Sequence, residues 1–112
     1  MSAPALTRAV VLENPVSAPD GAGGQQVTWV PLGTLWAEIR PAGGRERLGG
    51  LGPEGVQRLR VTLRAAPADS PRRPRPGQRL REGSRAFRLL TVAEADAQGR
   101  WLIAIAEEET PT

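Results

Sequence analysis

The sequence predicts an all-β domain, a small antiparallel β-barrel or β-sandwich of about six strands with long loops. Apolar and arginine residues alternate through Arg58–Arg64, and a period of two is typical of a strand with one buried face. Other short apolar runs follow one another at close spacing, separated by clusters of glycine and proline. Because no segment has convincing helical spacing, we expect strands throughout.

The first strand is predicted in the apolar run Ala9–Leu12. We expect it to end at Asn14 and Pro15, because proline lacks the amide hydrogen of a strand ladder and restricts the residue before it. Residues 17–24 contain Pro19-Asp20-Gly21 and two further glycines, which predict a loop.

A second strand is predicted from residue 25 to residue 30, and strand character resumes from residue 35 to residue 40. Pro31 and Gly33 lie between these stretches and predict a bend or a bulge, since both residue types are disfavoured inside a regular strand. Residues 41–55 hold six glycines and two prolines, so a long loop is expected there.

Residues 56–65 form the clearest strand of the sequence. Residues 66–77 hold four prolines and three arginines, which predict a loop with extended backbone where proline is dense. Glu82-Gly83-Ser84 then predicts a hairpin turn between strands at residues 78–81 and 85–92.

A second turn at residues 96–99 leads into the last predicted strand, residues 101–106, followed by an acidic tail at residues 107–109. The apolar residues on one face of each strand predict a single core. Its predicted members are Val10, Leu12, Val27, Trp29, Leu35, Ala37, Ile39, Leu59, Val61, Leu63, Phe87, Leu89, Val92, Trp101, Ile103 and Ile105.

The length of 112 residues fits one domain spanning the whole chain, residues 1–112. The chain has no cysteine, histidine, lysine or tyrosine, so it lacks a thiolate, a Schiff-base amine and the usual general base near neutral pH. We therefore predict no enzyme activity, no cofactor and no metal site. The apolar runs are too short to span a bilayer and no secretion signal is recognisable, so we expect an intracellular product without membrane contact.

Three arginines, Arg58, Arg60 and Arg64, share one face of the clearest strand. This face is either a solvated surface with acidic partners such as Glu38 or Glu107, or a surface that contacts a protein subunit or a DNA backbone. Arginine suits both kinds of contact because its planar group binds carboxylate or phosphate through two hydrogen bonds. The net charge of +3 does not by itself require a nucleic-acid partner.

Two loops add charged candidates for contact. Residues 71–76 resemble a ligand of a polyproline-binding groove, although such loops are common without that partner. The glycines of residues 43–55 do not have phosphate-loop spacing, so a protein-contacting loop is the better interpretation. The predicted subunit or channel contacts are Arg45, Glu46, Arg47, Arg58, Arg60, Arg64, Arg72, Arg73 and Arg75.

The order of several short motifs resembles the head-tail joining proteins of tailed phages, also called head closure or stopper proteins. The motifs are Trp36-Ala37-Glu38-Ile39-Arg40-Pro41, Gly44-Arg45-Glu46, Arg60-Val61-Thr62-Leu63-Arg64, Pro76-Gly77-Gln78-Arg79-Leu80, Arg85-Ala86-Phe87-Arg88-Leu89-Leu90-Thr91-Val92 and Gly99-Arg100-Trp101-Leu102. The resemblance covers about residues 5–108. The sequence departs from the family at Ala65, where an aromatic residue is frequent, and at Phe87, where tyrosine is common.

The resemblance implies a small β-barrel whose copies form a ring of six-fold or twelve-fold symmetry in the neck of a virion or of a gene transfer agent. Such a ring joins the portal-bound adaptor to the tail terminator or tail tube and closes the channel after DNA packaging, so packaged DNA lies nearby. Assembly is expected in the bacterial cytoplasm. The alternative from the residues alone is a small arginine-rich β-barrel that binds nucleic acid.

Overall fold

The computed structural model describes residues 3–42 and 57–109, and these residues form six β-strands without a helix. Accordingly, no helix within these ranges could span a membrane. The strands are β1 (Arg8–Pro19), β2 (Gln25–Pro41), β3 (Arg58–Arg64), β4 (Arg79–Glu82), β5 (Arg85–Glu94) and β6 (Trp101–Glu108).

All neighbouring strands are antiparallel, and the sheet closes on itself in the order β1-β2-β3-β6-β5-β4. Closure depends on a short ladder in which Val11, Leu12 and Glu13 of β1 pair with Arg81, Leu80 and Arg79 of β4. The predicted all-β class is confirmed, and the closed sheet is a barrel, which leaves no unpaired edge around its wall.

The core lies inside the closed sheet and follows the alternation of the strands. Ala37, Leu63 and Leu102 lie opposite one another on β2, β3 and β6, and all three are buried. Alanine next to leucine is a size pattern that fills a narrow barrel without a central cavity. The fully buried Phe87 is the largest side chain in this interior.

The face of β6 that enters the core differs from the predicted one. Leu102, Ala104 and Ala106 are buried, whereas the predicted Trp101, Ile103 and Ile105 lie on the outer face and are half-buried. Every residue from 101 to 106 is apolar, so alternation alone does not distinguish the two faces. The pairing between strands identifies the inward face, because Leu102 lies opposite the buried Leu63 of β3.

The hairpin of β1 and β2 extends beyond the barrel wall, contrary to the predicted strand end at Asn14 and Pro15. We call its outer part, residues 14–31, the arm. Its strands pair with each other as far as Pro19 and Gln25, and within the described residues they have no third partner. Proline is tolerated at an edge strand because the missing donor costs no ladder bond. The predicted loop is thereby reduced to residues 20–24.

Two residues of the arm were assigned to the core by the sequence prediction, and this assignment is wrong. Val27 is 51% exposed and Trp29 is half-buried. Both lie in the arm, outside the barrel wall. The alternation of residues 25–30 therefore identifies a strand correctly, but the core does not cover the apolar face of this strand.

The predicted bulge lies at the base of the arm. Leu12 pairs with Gly33 and Glu13 pairs with Pro31, which leaves Leu32 as the extra residue of β2. Gly33 has a φ of 144°, a conformation that favours glycine. A Cβ atom at this position would lie 3.3 Å from Cζ of Arg72, so glycine also permits the close approach of that guanidinium.

The remaining connections agree with the turn predictions, with one correction. Residues 83–84 form the turn between β4 and β5, and a turn near Gly99 precedes β6. The proline-rich loop at residues 66–77 is not extended: Ser70 N bonds Pro67 O and Arg73 N bonds Ser70 O, which makes successive turns. Pro74 within it is fully buried, so this segment is not presented as a polyproline ligand.

Candidate protein-contact surface

The arginine row predicted on β3 lies on the outside of the barrel. Arg58, Arg60 and Arg64 alternate with the buried Leu59, Val61 and Leu63 along the strand. The adjacent outward residues of β2 and β6 extend this surface, because Glu38 lies opposite Thr62 and Ile105 lies opposite Arg60. The predicted alternation is therefore confirmed.

The three arginines of β3 have different environments. The half-buried Arg58 pairs with Glu107 at 3.8 Å between Nε and Oε1. Arg64 is exposed and its guanidinium lies 5.0 Å from the ring centroid of Trp101, a cation–π contact. Arg60 is exposed and lies opposite Arg40 across the ladder. Like charges that face each other in a sheet favour an external partner of opposite charge.

Arg60 contributes to a recess on this outer face, which we call the arginine recess. It has a volume of about 740 Å³, and Arg40 and Arg100 also line it. Each of these two arginines has a carboxylate partner on its own chain: Arg40 pairs with Glu38 at 3.2 Å and Arg100 with Asp96 at 2.7 Å. The hydrogen bond from Arg100 holds the pKa of Asp96 below its ordinary value.

A second concavity, the Trp36 groove, lies where β2 leaves the arm and meets the loop after β3. It has a volume of about 410 Å³ and its lining is mostly apolar, with Leu6, Leu35, Trp36 and Ala66 among its residues. Trp36 is 57% exposed, the largest exposed fraction of any large hydrophobic residue in the described ranges. Sequence reasoning did not identify this groove.

The predicted contact arginines of the proline-rich loop bind carbonyl groups of this chain. Arg73 donates to Ala66 O at 2.9 Å and Arg75 donates to Ala68 O at 2.8 Å, both within the loop. Arg72 donates to Thr34 O at 2.5 Å and so holds the loop against β2. These side chains therefore shape the loop, although Arg72 and Arg75 remain exposed and keep an outward charge. The other predicted contacts, Arg45, Glu46 and Arg47, lie outside the described residues.

A buried charged cluster at the base of the arm was not found from the sequence. Glu13 is 4% exposed and accepts hydrogen bonds from Nε of Arg79 at 2.6 Å and from Nε of Arg81 at 3.0 Å. Burial acts to raise the pKa of Glu13, but the hydrogen bonds and the charges of the two arginines together outweigh it, and the pKa lies below its ordinary value. Arg79 also lies over the ring of Trp29, 4.2 Å from its centroid.

The acidic residues 107–109, predicted as a tail, all pair with arginines, and for Glu107 this is the alternative given as a partner of the arginine row. Glu107 and Glu108 belong to β6, and Glu108 accepts two hydrogen bonds from Arg85, at 2.8 Å and 3.0 Å. These bonds lower the pKa of Glu108. Glu109 reaches Arg79 at 3.5 Å. These residues continue the strand instead of forming a tail, because the pairing of β6 with β3 and β5 extends through Glu107.

Ion pairs of this kind take up much of the positive charge. Seven of the 13 arginines in the described ranges pair with carboxylates: Arg8, Arg40, Arg58, Arg79, Arg81, Arg85 and Arg100. In the same ranges, no group of three or more acidic side chains could hold a metal ion. A surface on which paired positive and negative side chains alternate suits contact with another protein, because complementary charges determine the specificity and the register of such contacts.

Comparison with known proteins identifies the family. The sequence model of the phage head completion proteins matches residues 1–109, nearly the whole chain. The chain belongs to the phage head completion protein family. This is a family of structural proteins of the virion with a role in head closure, and not an enzyme family. The resemblance stated from the sequence motifs is confirmed.

Two solved structures resemble this head completion protein. A chain from the virion of a native gene transfer agent particle is 44% identical, with a TM-score of 0.79, and the match covers 98% of this chain and 100% of that one. Protein SF1141 from Shigella flexneri 2a is 18% identical with a TM-score of 0.70, and the match covers both chains completely, which shows a shared fold. No curated protein matches the chain.

Proposed function

We propose that this head completion protein is a stopper of the head-tail connector. Copies of the chain form a symmetric ring between the portal-bound adaptor and the tail terminator or tail tube, and this ring closes the DNA channel after packaging. The observation that carries the proposal is the full-length likeness, at 44% identity, to a chain from a gene transfer agent virion. The family match over residues 1–109 supports the same assignment.

The proposal places the protein in the neck of a virion or of a phage-like particle assembled in the bacterial cytoplasm. Packaged DNA then lies nearby in the channel. The mixed charge of the outer face supports a protein as the main partner, because a phosphate-binding face would leave more of its arginines without carboxylate neighbours. Here Glu38, Asp96 and Glu107 each pair with an arginine on this face.

We assign the contacts between subunits first to Arg60 and Arg64, which are exposed and have no carboxylate partner among the described residues. Each can meet a carboxylate of a neighbouring copy, Arg60 in the arginine recess and Arg64 at the Trp36 groove. The remaining predicted contacts support this surface through bonds to groups of their own chain; they are Arg58, Arg72, Arg73 and Arg75. The proposed contacts extend to Arg45, Glu46 and Arg47, which lie in the sequence between β2 and β3.

Reversal of the charge of Arg60 and Arg64 tests the proposal. A particle-producing strain that lacks its own copy of the gene is complemented with wild-type protein, with Arg60→Glu/Arg64→Glu, or with Arg88→Glu. Wild type should restore tailed particles, and the double variant should reduce their number by at least about tenfold, because like charges brought together in each interface cost several kcal/mol. Electron microscopy counts filled heads with and without tails.

Arg88→Glu is the matched control, since Arg88 is exposed and lies on β5 outside the arginine recess. Normal tailed particles in the strain without the gene would refute the connector role. Normal assembly by the double variant would refute only the assignment of Arg60 and Arg64. If the purified protein instead bound DNA with an affinity that fell steeply with salt, the nucleic-acid-binding alternative would replace the proposal.

A further inference from the structure

The composition of the arm differs from that of the rest of the chain. Asp20 is the one ionisable side chain among the 18 residues 14–31, although 24% of the whole chain is charged. Three of its valines are exposed: Val16 at 46%, Val27 at 51% and Val30 at 40%. The arm therefore presents apolar side chains to solvent on a strand pair that almost lacks charge.

Such a strand pair is a hazard unless another surface covers it. Exposed apolar strands of soluble proteins are usually protected by charged side chains, since an unprotected edge pairs with other chains. In the arm, Pro15 and Pro19 remove donors from β1, but β2 has no proline between Gln25 and Val30. The distribution of these residues is that of a surface adapted to one partner.

The Trp36 groove on the same chain has the complementary properties. It is concave and mainly apolar, and it contains the largely exposed Trp36. The guanidinium groups of Arg64 and Arg72 lie at this groove and make its surroundings positive. The carboxylate of Asp20 lies at the exposed tip of the arm and makes it negative. Polarity and charge thus match between arm and groove.

An arm cannot reach the groove of its own chain. Val27 is separated from Thr34 by seven residues of β2, which in extended conformation span roughly 20 Å. β1 and β2 pair continuously from Arg8–Ala37 to Pro19–Gln25, apart from the bulge at Leu32, and this ladder directs the arm away from the barrel. A partner for the groove must therefore come from a second molecule.

We propose that the arm of one copy lies in the Trp36 groove of the next copy. This inference rests on the proposed ring and names the contact that joins its subunits. The two surfaces involved are different, so the contact is head-to-tail, and a head-to-tail contact closes into a ring when its rotation is a whole fraction of a full turn.

Engineered cysteines test this contact directly, because the chain has no cysteine of its own. The variant Val27→Cys/Ala66→Cys carries one thiol on the arm and one in the groove. A disulfide requires Cα atoms within about 7 Å, which excludes a bond within one molecule. Mild oxidation should give a ladder of disulfide-linked multimers on a non-reducing gel, both in purified particles and in concentrated protein.

The control Val27→Cys/Ala93→Cys keeps the arm thiol and places the other on β5, at an exposed position outside the groove. It should give no ladder. Absence of the ladder from particles that contain the groove variant would overturn the inference and leave the stopper proposal intact. If the chain were missing from particles, the stopper proposal would fail, and oxidation of the concentrated protein alone would decide whether the arm binds the groove.

Discussion

Glu13 is the one buried ionisable residue in the described ranges, and it joins the arm to the barrel. Its carboxylate holds Arg79 and Arg81 of β4, and Arg79 lies over Trp29 of the arm. Loss of one member of a buried ion pair leaves its partners without compensation, which costs more than loss of an exposed pair. We infer that this cluster fixes the direction in which the arm leaves the barrel.

Replacement of Glu13 by alanine should lower the free energy of unfolding by about 2–3 kcal/mol, because two charge-assisted hydrogen bonds are lost at a buried site. Urea denaturation followed by tryptophan fluorescence measures the change. Glu94→Ala, at an exposed position of β5, is the control and should change stability by less than about 0.5 kcal/mol. Equal stability of the two variants would contradict the role assigned to Glu13.

The cluster also marks the limit of sequence reasoning for single residues. The alternation of Arg79, Leu80 and Arg81 indicates that both arginines point outward from β4. Their partner Glu13 lies on β1, 66 and 68 residues earlier. Only the closure of the sheet between β1 and β4 brings the three charges together, and a single sequence does not contain that pairing.

Strand β6 shows what a sequence pattern can and cannot specify for an element. Its position was predicted correctly, because a turn and a long apolar run identify a strand. Its inward face was predicted wrongly, because both faces are apolar and alternation does not distinguish Trp101, Ile103 and Ile105 from the residues between them. The limited space inside the barrel is shared by the small Ala104 and Ala106 and by larger side chains such as Phe87. For β3, where arginine occupies one face, the same reasoning was correct.

The two faces of β6 can be distinguished by a matched pair of substitutions. Leu102→Ala should destabilise the protein by about 2–5 kcal/mol, the range for a fully buried leucine, because a cavity forms beside Leu63. Ile103→Ala on the outer face should cost clearly less, since Ile103 is only half-buried. Thermal unfolding of both variants gives the comparison, and a larger loss for Ile103→Ala would reverse the assignment of the faces.

Across the whole molecule, carboxylates paired with arginines determine how stability should respond to acid. Hydrogen bonds from arginines hold the pKa values of Glu82 and Glu108 below the ordinary glutamate value of 4.5, and Glu13 is shifted in the same direction. The folded state thus binds fewer protons than the unfolded state in the acidic range. Stability from these pairs is complete above pH 4.5 and is lost as the pH falls through the lowered values.

The urea midpoint should therefore stay constant from about pH 8 to about pH 5 and fall progressively below about pH 4.5. The chain has no histidine, so no imidazole titrates in the neutral range. Denaturation at fixed ionic strength across this range provides the measurement. A clear shift of the midpoint between pH 6 and pH 7 would show that a group other than these carboxylates controls stability.

At the same scale, the fold class, the number of strands and the family were predictable because each depends on local patterns and on their order. The length of the arm was not predictable from the sequence. Proline interrupts a strand inside a sheet, but it is tolerated in an edge strand such as the one that contains Pro15. The Trp36 groove was not predictable either, since it forms where β2 meets a loop about 30 residues away in the sequence. Both features depend on how strands meet in space.

The interior of the barrel is filled by leucine, valine, alanine and phenylalanine side chains. A six-stranded barrel of this kind has a filled interior and no channel of its own, because even an eight-stranded barrel leaves an interior just wide enough for side chains. In the proposed ring, any duplex must therefore pass through the opening that the copies enclose together. The diameter of that opening is then set by the number of copies and by the angle between neighbours, and not by the architecture of one chain.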